Sequence, residues 1–409
     1  MKTIVNMIIL AAFLLSCEDK HVPDLPPQGP ADLNLSAKTT DIIESDNEFG
    51  LELFKKVVAG EPDAENIFVS PTSVALALAM TYNGAAGETK SAMETALRKA
   101  GFTTEEINNA YKSLIEALKS VDPKVLLEIA NSIWYAEGFN VLPQFISVNE
   151  EYYNAEVSSL DFTLPQARAV INDWVSDQTN EKIKTIIDQI PANAVMYLIN
   201  AIYFKGIWQY EFDKNNTFNG PFYSTDGSPV TVPYMKNKLS LPMMSTEQFS
   251  MLELPYGRGN YSMVILLPEE GYSTQDVVNS LTPENWDSWV SSFAYANNID
   301  IQVPKFKFEY ENLLNDELDN MGMGVAFTGS ADFSGINGTG NLFISRVIHK
   351  SFVEVNEEGT EAAAATAVEI EYTSIGFGPV FHVDRPFVFA IRETTTGAVL
   401  FIGRVQNPL

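Results

Sequence analysis

The sequence predicts one large α+β domain behind a polar leader, and three observations carry that prediction. Helical patterns crowd the first third of the folded part, β patterns fill most of the remainder, and no linker composition interrupts the chain after residue 45. With 409 residues, 45% of them hydrophobic, there is ample material for a large core. No repeat of solenoid period is present.

The N-terminus reads as an export signal. Lys2 precedes an apolar run from Ile4 to Leu15 broken only by Asn6, too short for a mature membrane-spanning helix. The run ends in Leu14-Leu15-Ser16-Cys17, and Cys17 is the only cysteine. This ending is similar to a bacterial lipobox. Residues 1–16 are then the signal peptide and Cys17 the lipidated first residue; an ordinary cleavage site with an accidental Cys is the alternative. One Cys allows no disulfide within the chain, so stability outside the cell must come from packing. Residues 17–45 are polar, with Pro23, Pro26, Pro27, Gly29 and Pro30, and are expected to form a flexible tether to the membrane. The folded domain is expected over 46–409.

Ser45-Asp46-Asn47-Glu48 has the form of a capping box ahead of the apolar-rich Phe49 to Val58. A second helix is predicted after Ser70-Pro71 through Val74, Leu76, Leu78 and Met80, a third over Thr89 to Leu97, and a fourth over Tyr111 to Leu118. Val125 to Tyr135 and Ala194 to Phe204, rich in β-branched and aromatic residues, read as buried strands. Ile171 to Ile187 reads as a helix, and Phe222 to Leu267 as short β segments. Ile299 to Tyr310 alternates as a strand and leads into a helix through Leu313, Leu314, Leu318 and Met321. Phe387 to Val405 holds two strands joined by a turn at Thr396-Gly397.

Lys plus Arg total 26 against 53 Asp plus Glu, a formal net charge of −27 that repels phosphate backbones and excludes nucleic-acid binding. Of three histidines, His21 lies in the tether, leaving His349 and His382 as the bases available to a Ser-His-Asp hydrolase, with no nucleophile motif beside either. G-x-S-x-G, H-E-x-x-H, Walker A and G-x-G-x-x-G patterns are absent. The reading is of a protein that is not an enzyme and takes no cofactor or metal.

The most informative segment follows Glu357-Glu358-Gly359. Divided by parity, Thr360, Ala362, Ala364, Thr366, Val368, Ile370 and Tyr372 carry no charge, while Glu361, Glu369 and Glu371 all fall on the other face. A strand with one buried face requires this division. Alanine nevertheless forms strands weakly, so the segment is not strongly committed to one. Gly359 supplies a backbone pivot. Alternation alone leaves an alanine-rich surface helix or a β edge open.

From about residue 48 to 409 the chain resembles the serpins. The resemblance rests on Asn66 to Ser73 followed by Gly84 to Thr89, on Leu198 to Trp208, and on Val303-Pro304-Lys305-Phe306, Asp332 to Gly335 and Val347-Ile348-His349-Lys350. Arg385-Pro386-Phe387 with Phe401 to Arg404 completes it. Glu357-Glu358-Gly359-Thr360-Glu361-Ala362-Ala363-Ala364-Ala365-Thr366 is similar to the hinge of inhibitory members.

The resemblance implies the serpin fold: helices around a large central sheet, two further sheets and an exposed reactive loop, native but metastable. It implies a suicide substrate for serine-type, and also cysteine-type, proteases. The target cuts the loop, becomes acylated, and is carried off as the freed segment inserts into the central sheet. Thirteen residues from Thr360 to Tyr372 span roughly 40 Å as a strand. It further implies a Glu357–Lys305 ion pair near Trp208 where insertion begins, and a hydrogen-bonded cluster of Ser70, Ser73, Asn200 and His349 beneath the opening strands. The family register places the reactive bond at Thr373-Ser374. The stretch to Pro386 is longer than in well-known members, which keeps Tyr372-Thr373 and Ile375-Gly376 as alternatives. A Thr at that position suits elastase-like or subtilisin-like targets, and the absence of Lys and Arg from Ser351 through Asp384 excludes trypsin-like ones. The expected protein is a monomer, exported and held by lipid on a bacterial outer membrane or cell surface. The rival expectation is a non-inhibitory serpin-fold binding or structural protein.

Overall fold

The computed structural model describes residues 29–360 and 378–409. The signal peptide, Cys17, the first part of the expected tether up to residue 28 and the loop residues Glu361, Ala362, Ala363, Ala364, Ala365, Thr366, Tyr372, Thr373, Ser374 and Ile375 lie outside the described residues. Among the described residues no helix is long and apolar enough to cross a membrane.

The first helix, α1 (Ala37–Gly60), starts earlier than the Ser45 capping pattern predicts. Its N-cap is Ser36, whose hydroxyl accepts the Thr39 amide, and Thr39, Ile42 and Ile43 already face the core. Ser45 and Asp46 sit mid-helix because they turn inward to a buried Lys99, 2.5 and 2.6 Å from its ammonium. The expected tether therefore ends well before residue 45. Ala31 is held by a reciprocal pair of hydrogen bonds to the buried Asn260 side chain, 2.8 and 2.7 Å.

Strand β1 (Asn66–Val69) leads into α2 (Pro71–Tyr82), which Ser70 caps with Pro71 at its first position. Helices α3 (Gly87–Ala96) and α4 (Thr104–Ser120) follow, α4 carrying a complete Thr103–Glu106 capping box. Then come β2 (Val125–Ala136), α5 (Pro143–Tyr153), β3 (Ala155–Leu160) and α6 (Pro165–Gln178). The helix predicted over Ile171 to Ile187 ends at Gln178, where Asn180 and Glu181 take positive φ. Ile183 and Ile187 are buried beside α6 without helix, so apolar spacing there imitated helical periodicity.

Strand β4 (Met196–Ile207) is followed by β5 (Phe218–Tyr223), β6 (Pro229–Ser245), β7 (Phe249–Tyr256), β8 (Tyr261–Pro268), α7 (Thr274–Ser280) and α8 (Pro283–Ser291). The single strand predicted over Ile299 to Tyr310 is two, β9 (Ala294–Pro304) and β10 (Phe306–Leu313), which cross from one sheet to the other at Lys305. Leu313 still belongs to β10, and the helix predicted beyond it is one α turn, Asn315–Leu318, running into a π turn, Asp319–Met323, within which Gly322 takes φ +98°. The chain closes with β11 (Ile348–Asn356), β12 (Gly359–Thr360), β13 (Val380–His382), β14 (Phe387–Glu393) and β15 (Val399–Val405).

Two sheets result. The central one has the order β10-β11-β12-β4-β2-β3, antiparallel except for the parallel β2–β3 edge. The two further sheets expected from the sequence are continuous through the seventeen-residue β6, which pairs β5, β9 and β7 in turn and shifts register between Leu239 and Leu241. The resulting nine strands run β1-β15-β14-β8-β7-β6-β9-β13, with β5 on β6.

The main core includes a stack of Phe68 between Phe389 and Phe401, with centroids 5.4 and 5.1 Å away. Alternation along β4 divides its residues between two layers: Ile202 and Phe204 join this core, whereas Ile199 and Ala201 face a smaller cluster with Trp134, Ile171 and Val175 of α6.

Candidate functional site

Strand β12 contains only two residues, although β4 and β11 on either side have twelve and nine. Gly359 pairs with Ile207 and Asn356, and Thr360 with Gly206 and Val355. Among the described residues β4 and β11 share no ladder with each other. Their outer edges are fully engaged, β4 with β2 from Met196 to Gly206 and β11 with β10 from Ile348 to Val355. The central sheet is thus opened between two strands, with an edge of backbone donors and acceptors on each side of the opening. Beneath it lies a cavity of about 310 Å³ walled by α2, Asn193 to Asn200 and Asn341 to Lys350.

The closed end of the opening is a hinge turn, Asn356 to Gly359, seated on the segment that follows β4. The Trp208 amide donates to the Glu358 carbonyl and the Phe212 amide to the Glu357 carbonyl, both at 2.9 Å. The Trp208 indole donates to the Asn356 carbonyl at 2.9 Å, and its ring stacks on Tyr256 at 4.3 Å. Lys305 reaches the Glu357 carboxylate at 2.9 and 3.1 Å, and Thr217 donates to it at 2.8 Å. Burial pushes the Glu357 carboxyl up, but Lys305, its own backbone N–H and Thr217 outweigh it and hold the group below the usual carboxylate range. Glu358 pairs with Lys214.

Thr360, the last described residue of the hinge, is buried with its hydroxyl 2.5 Å from that of Tyr256. Gly359 has φ +154°, and a Cβ there would stand 1.9 Å from the Gly206 carbonyl oxygen, so only glycine permits this approach to β4. On the far side of the undescribed stretch, β13 is tied parallel to β9, with the Asp300 amide bonded to the Pro379 carbonyl at 2.9 Å. Residues 361–377 therefore connect the middle of one sheet to the edge of the other.

The expected cluster under the opening is assembled only in part. His349 Nε2 accepts the Ser70 amide at 3.2 Å, and the Ser70 hydroxyl accepts the Ser73 amide while donating to the Leu400 carbonyl. Asn200 does not join them by a hydrogen bond among the described residues. It donates instead to Asn131 across the β4–β2 ladder at 2.7 Å, its own carbonyl oxygen buried with no partner among the described residues. Ser73, Asn200 and His349 share only the cavity wall.

The His349 ring is committed to the backbone of Phe68 in β1 and of Ser70, the residue that caps α2. Burial pushes it down to about 4, against the opposing pull of a hydrogen bond to the Phe68 carbonyl. The folded chain thus holds a neutral imidazole that the unfolded chain protonates below its ordinary pKa. Stability from this group is intact above about pH 6.5 and falls by about 3 kcal/mol as pH drops to 4. In denaturant titrations across that window, His349→Gln should flatten the slope; an unchanged slope would assign the acid sensitivity to other groups.

The sequence missed Tyr256, Phe212, Lys214, Thr217 and Asn131 as members of this site. Each reaches its partner across a long stretch of chain rather than by local spacing, so no nearby motif marks it. Among the described residues no group of three or more His, Cys, Asp or Glu side chains is arranged to hold a metal ion.

Comparison with known proteins agrees with this architecture. The model of the family described as Serpin (serine protease inhibitor) matches residues 44–408. Human leukocyte elastase inhibitor is 35% identical over 383 residues, covering 90% of this chain and 99% of that protein. The crystal structure of the thermophilic serpin tengpin in its native state superposes with a TM-score of 0.82 at 33% identity, covering 94% of this chain and 97% of that one. The crystal structure of human thyroxine-binding globulin superposes with a TM-score of 0.83 at 29% identity, covering 91% of this chain and 100% of that one. A family match over most of the chain, with the opened central sheet and its seated hinge, makes this protein a member of the serpin family.

Proposed function

We propose that this serpin traps proteases as a suicide substrate, with Thr373-Ser374 as the reactive bond. The target's nucleophile attacks the Thr373 carbonyl, the Ser374 amine leaves, and Thr373 remains esterified to the enzyme. The severed segment then extends β12 between β4 and β11, and the displaced, distorted protease fails to hydrolyse the ester. The observation that carries this reading is the two-residue β12 standing at the head of an opening between two long strands.

Register supports the details. Counted onward from the pairs Thr360–Gly206 and Thr360–Val355, Thr366 would face Asn200 and His349, and Ile370 would face Met196, where β4 begins. Thr373 would arrive opposite Asn193 and Leu342, both at the far end of the cavity wall. Insertion to Thr373 therefore spans the opening, a length that a cut at either neighbouring bond would match to within two residues. Thr360 faces the main core, so Ala362, Ala364, Thr366, Val368, Ile370 and Tyr372 follow it inward while Glu361, Glu369 and Glu371 stay outside. Elastase-like and subtilisin-like enzymes fit a Thr at the cut, and relatives named elastase inhibitors support that choice. Export through residues 1–16, lipid on Cys17, attachment to a bacterial outer membrane or cell surface, and a monomeric body belong to the same proposal, on the sequence alone.

Incubation of the exported chain with pancreatic-type elastase, followed by denaturing electrophoresis and mass spectrometry, tests it. A covalent complex that survives denaturant, with the bond cut after Thr373 and a diacylated peptide beginning at Cys17, is the expected result. Clean cleavage without complex by elastase-, subtilisin-, chymotrypsin- and papain-like enzymes alike would reject trapping in favour of a non-inhibitory binding protein.

A further inference from the structure

The two hinge carboxylates are held very differently. The Glu357 carboxylate is met by Lys305 at both oxygens, by Thr217 and by its own backbone N–H. Glu358 is about as buried, with 6% of its surface exposed, yet among the described residues its Oε1 meets only Lys214, and its Oε2 is buried without a partner. The cation is the opposite of its partner: the Lys214 side chain is 63% exposed, on a 3-10 turn, Lys214–Asn216, capped by Asp213. A second carboxyl, Glu211, lies close enough that burial and Glu358 together push it up. The seat of the hinge therefore contains a buried, half-satisfied carboxylate beside another acid, and among the described residues Lys214 is the only side-chain cation paired with it.

We infer that Lys214 is a positioning residue for strand insertion, its ammonium keeping the Glu358 carboxylate, and with it the hinge turn, seated against Trp208 and Phe212 so that Thr360 starts the new strand in register. Geometry links the pair directly to the register. The Glu358 carbonyl accepts the Trp208 amide, its amide donates to the Asn356 side chain, and Gly359 next to it begins the ladder on β4. Without the ammonium, a buried carboxylate is left without its cation, and the turn relieves this by swinging Glu358 into water. Thr360 then loses its place beside Tyr256. Insertion slows while hydrolysis of the acyl-enzyme does not, and more inhibitor leaves as cleaved product.

The insertion half of this inference rests on the suicide-substrate reading; the seating half does not, and the experiment reads them separately. In Lys214→Met, hydrogen exchange at the Trp208 and Phe212 amides, measured with no protease present, should accelerate at least about tenfold as their carbonyl partners withdraw. With elastase, the ratio of covalent complex to cleaved inhibitor should fall at least about fivefold, since that ratio reports insertion against hydrolysis regardless of how fast the loop is attacked. Lys214→Arg should restore both readouts, and so should Lys214→Met combined with Glu358→Gln, which removes the buried charge along with its partner. Unchanged amide exchange in Lys214→Met overturns the seating role. Faster exchange with an unchanged ratio overturns the role in insertion. A wild-type chain that forms no complex with any protease class overturns the suicide-substrate reading and the insertion role together, while the exchange measurement still decides whether Lys214 seats the hinge.

Discussion

Thr360→Arg should leave the reactive loop cleavable and abolish trapping. Thr360 is 3% exposed, its hydroxyl meets Tyr256, and the residue opposite it on β4 is Gly206, where even a Cβ would stand 2.8 Å from the Tyr256 ring. No space or anion awaits a guanidinium there. The charge would leave the core and carry β12 out of the sheet, and returning it during insertion costs several kcal/mol, of which about 3 kcal/mol suffices to slow insertion on the order of a hundredfold. Acyl-enzyme hydrolysis then wins, and the expected gel shows cleaved inhibitor with free, active protease. Glu361→Arg, one residue on and of the opposite parity, is the control and should still trap. If both variants behave alike, parity does not govern insertion and the mechanism proposed for the loop fails.

The largest effect on stability is expected far from the loop, at Lys99→Met. Lys99 is 2% exposed and bonds Ser45 and Asp46, while Tyr111 donates to the same Asp46 oxygen at 2.8 Å. The other Asp46 oxygen is already buried without a partner. Methionine fills the lysine's volume but leaves an ionised carboxylate without its cation, which typically costs about 3–5 kcal/mol. Chemical denaturation with matched slopes reads this directly. Adding Asp46→Asn should recover part of the loss, because an amide needs no counter-charge; a single variant as stable as the parent would mean that the pair contributes no net stability.

The residues singled out by sequence fare unevenly, for identifiable reasons. Lys305, Glu357 and Trp208 meet as the family resemblance implies, because the start of β10 and the ends of β11 and β4 lie together at one end of the central sheet. Asn200 departs from it: the opening between β4 and β11 leaves its side chain to Asn131 on the neighbouring strand rather than to His349. The boundary at residue 45 failed because Ser45-Asp46-Asn47-Glu48 satisfies a capping pattern that tertiary structure uses otherwise, with Asp46 sent inward to Lys99. Lys305 is where one alternating run becomes two strands, and alternation is the same on both sides of such a crossing.

What the sequence by itself determined is what depends on near neighbours: the order of most helices and strands, the uncharged parity of the segment after Thr360, and the glycine that pivots it. Periodicity and backbone freedom act over a few residues and are written there in full. Only the tertiary structure decided that Lys214 holds Glu358 and that Tyr256 receives Thr360, contacts spanning 144 and 104 residues. The opening between β4 and β11 belongs with them. Pairings across such distances are fixed by sheet register and by which charges the core will not leave alone, and no local pattern records either.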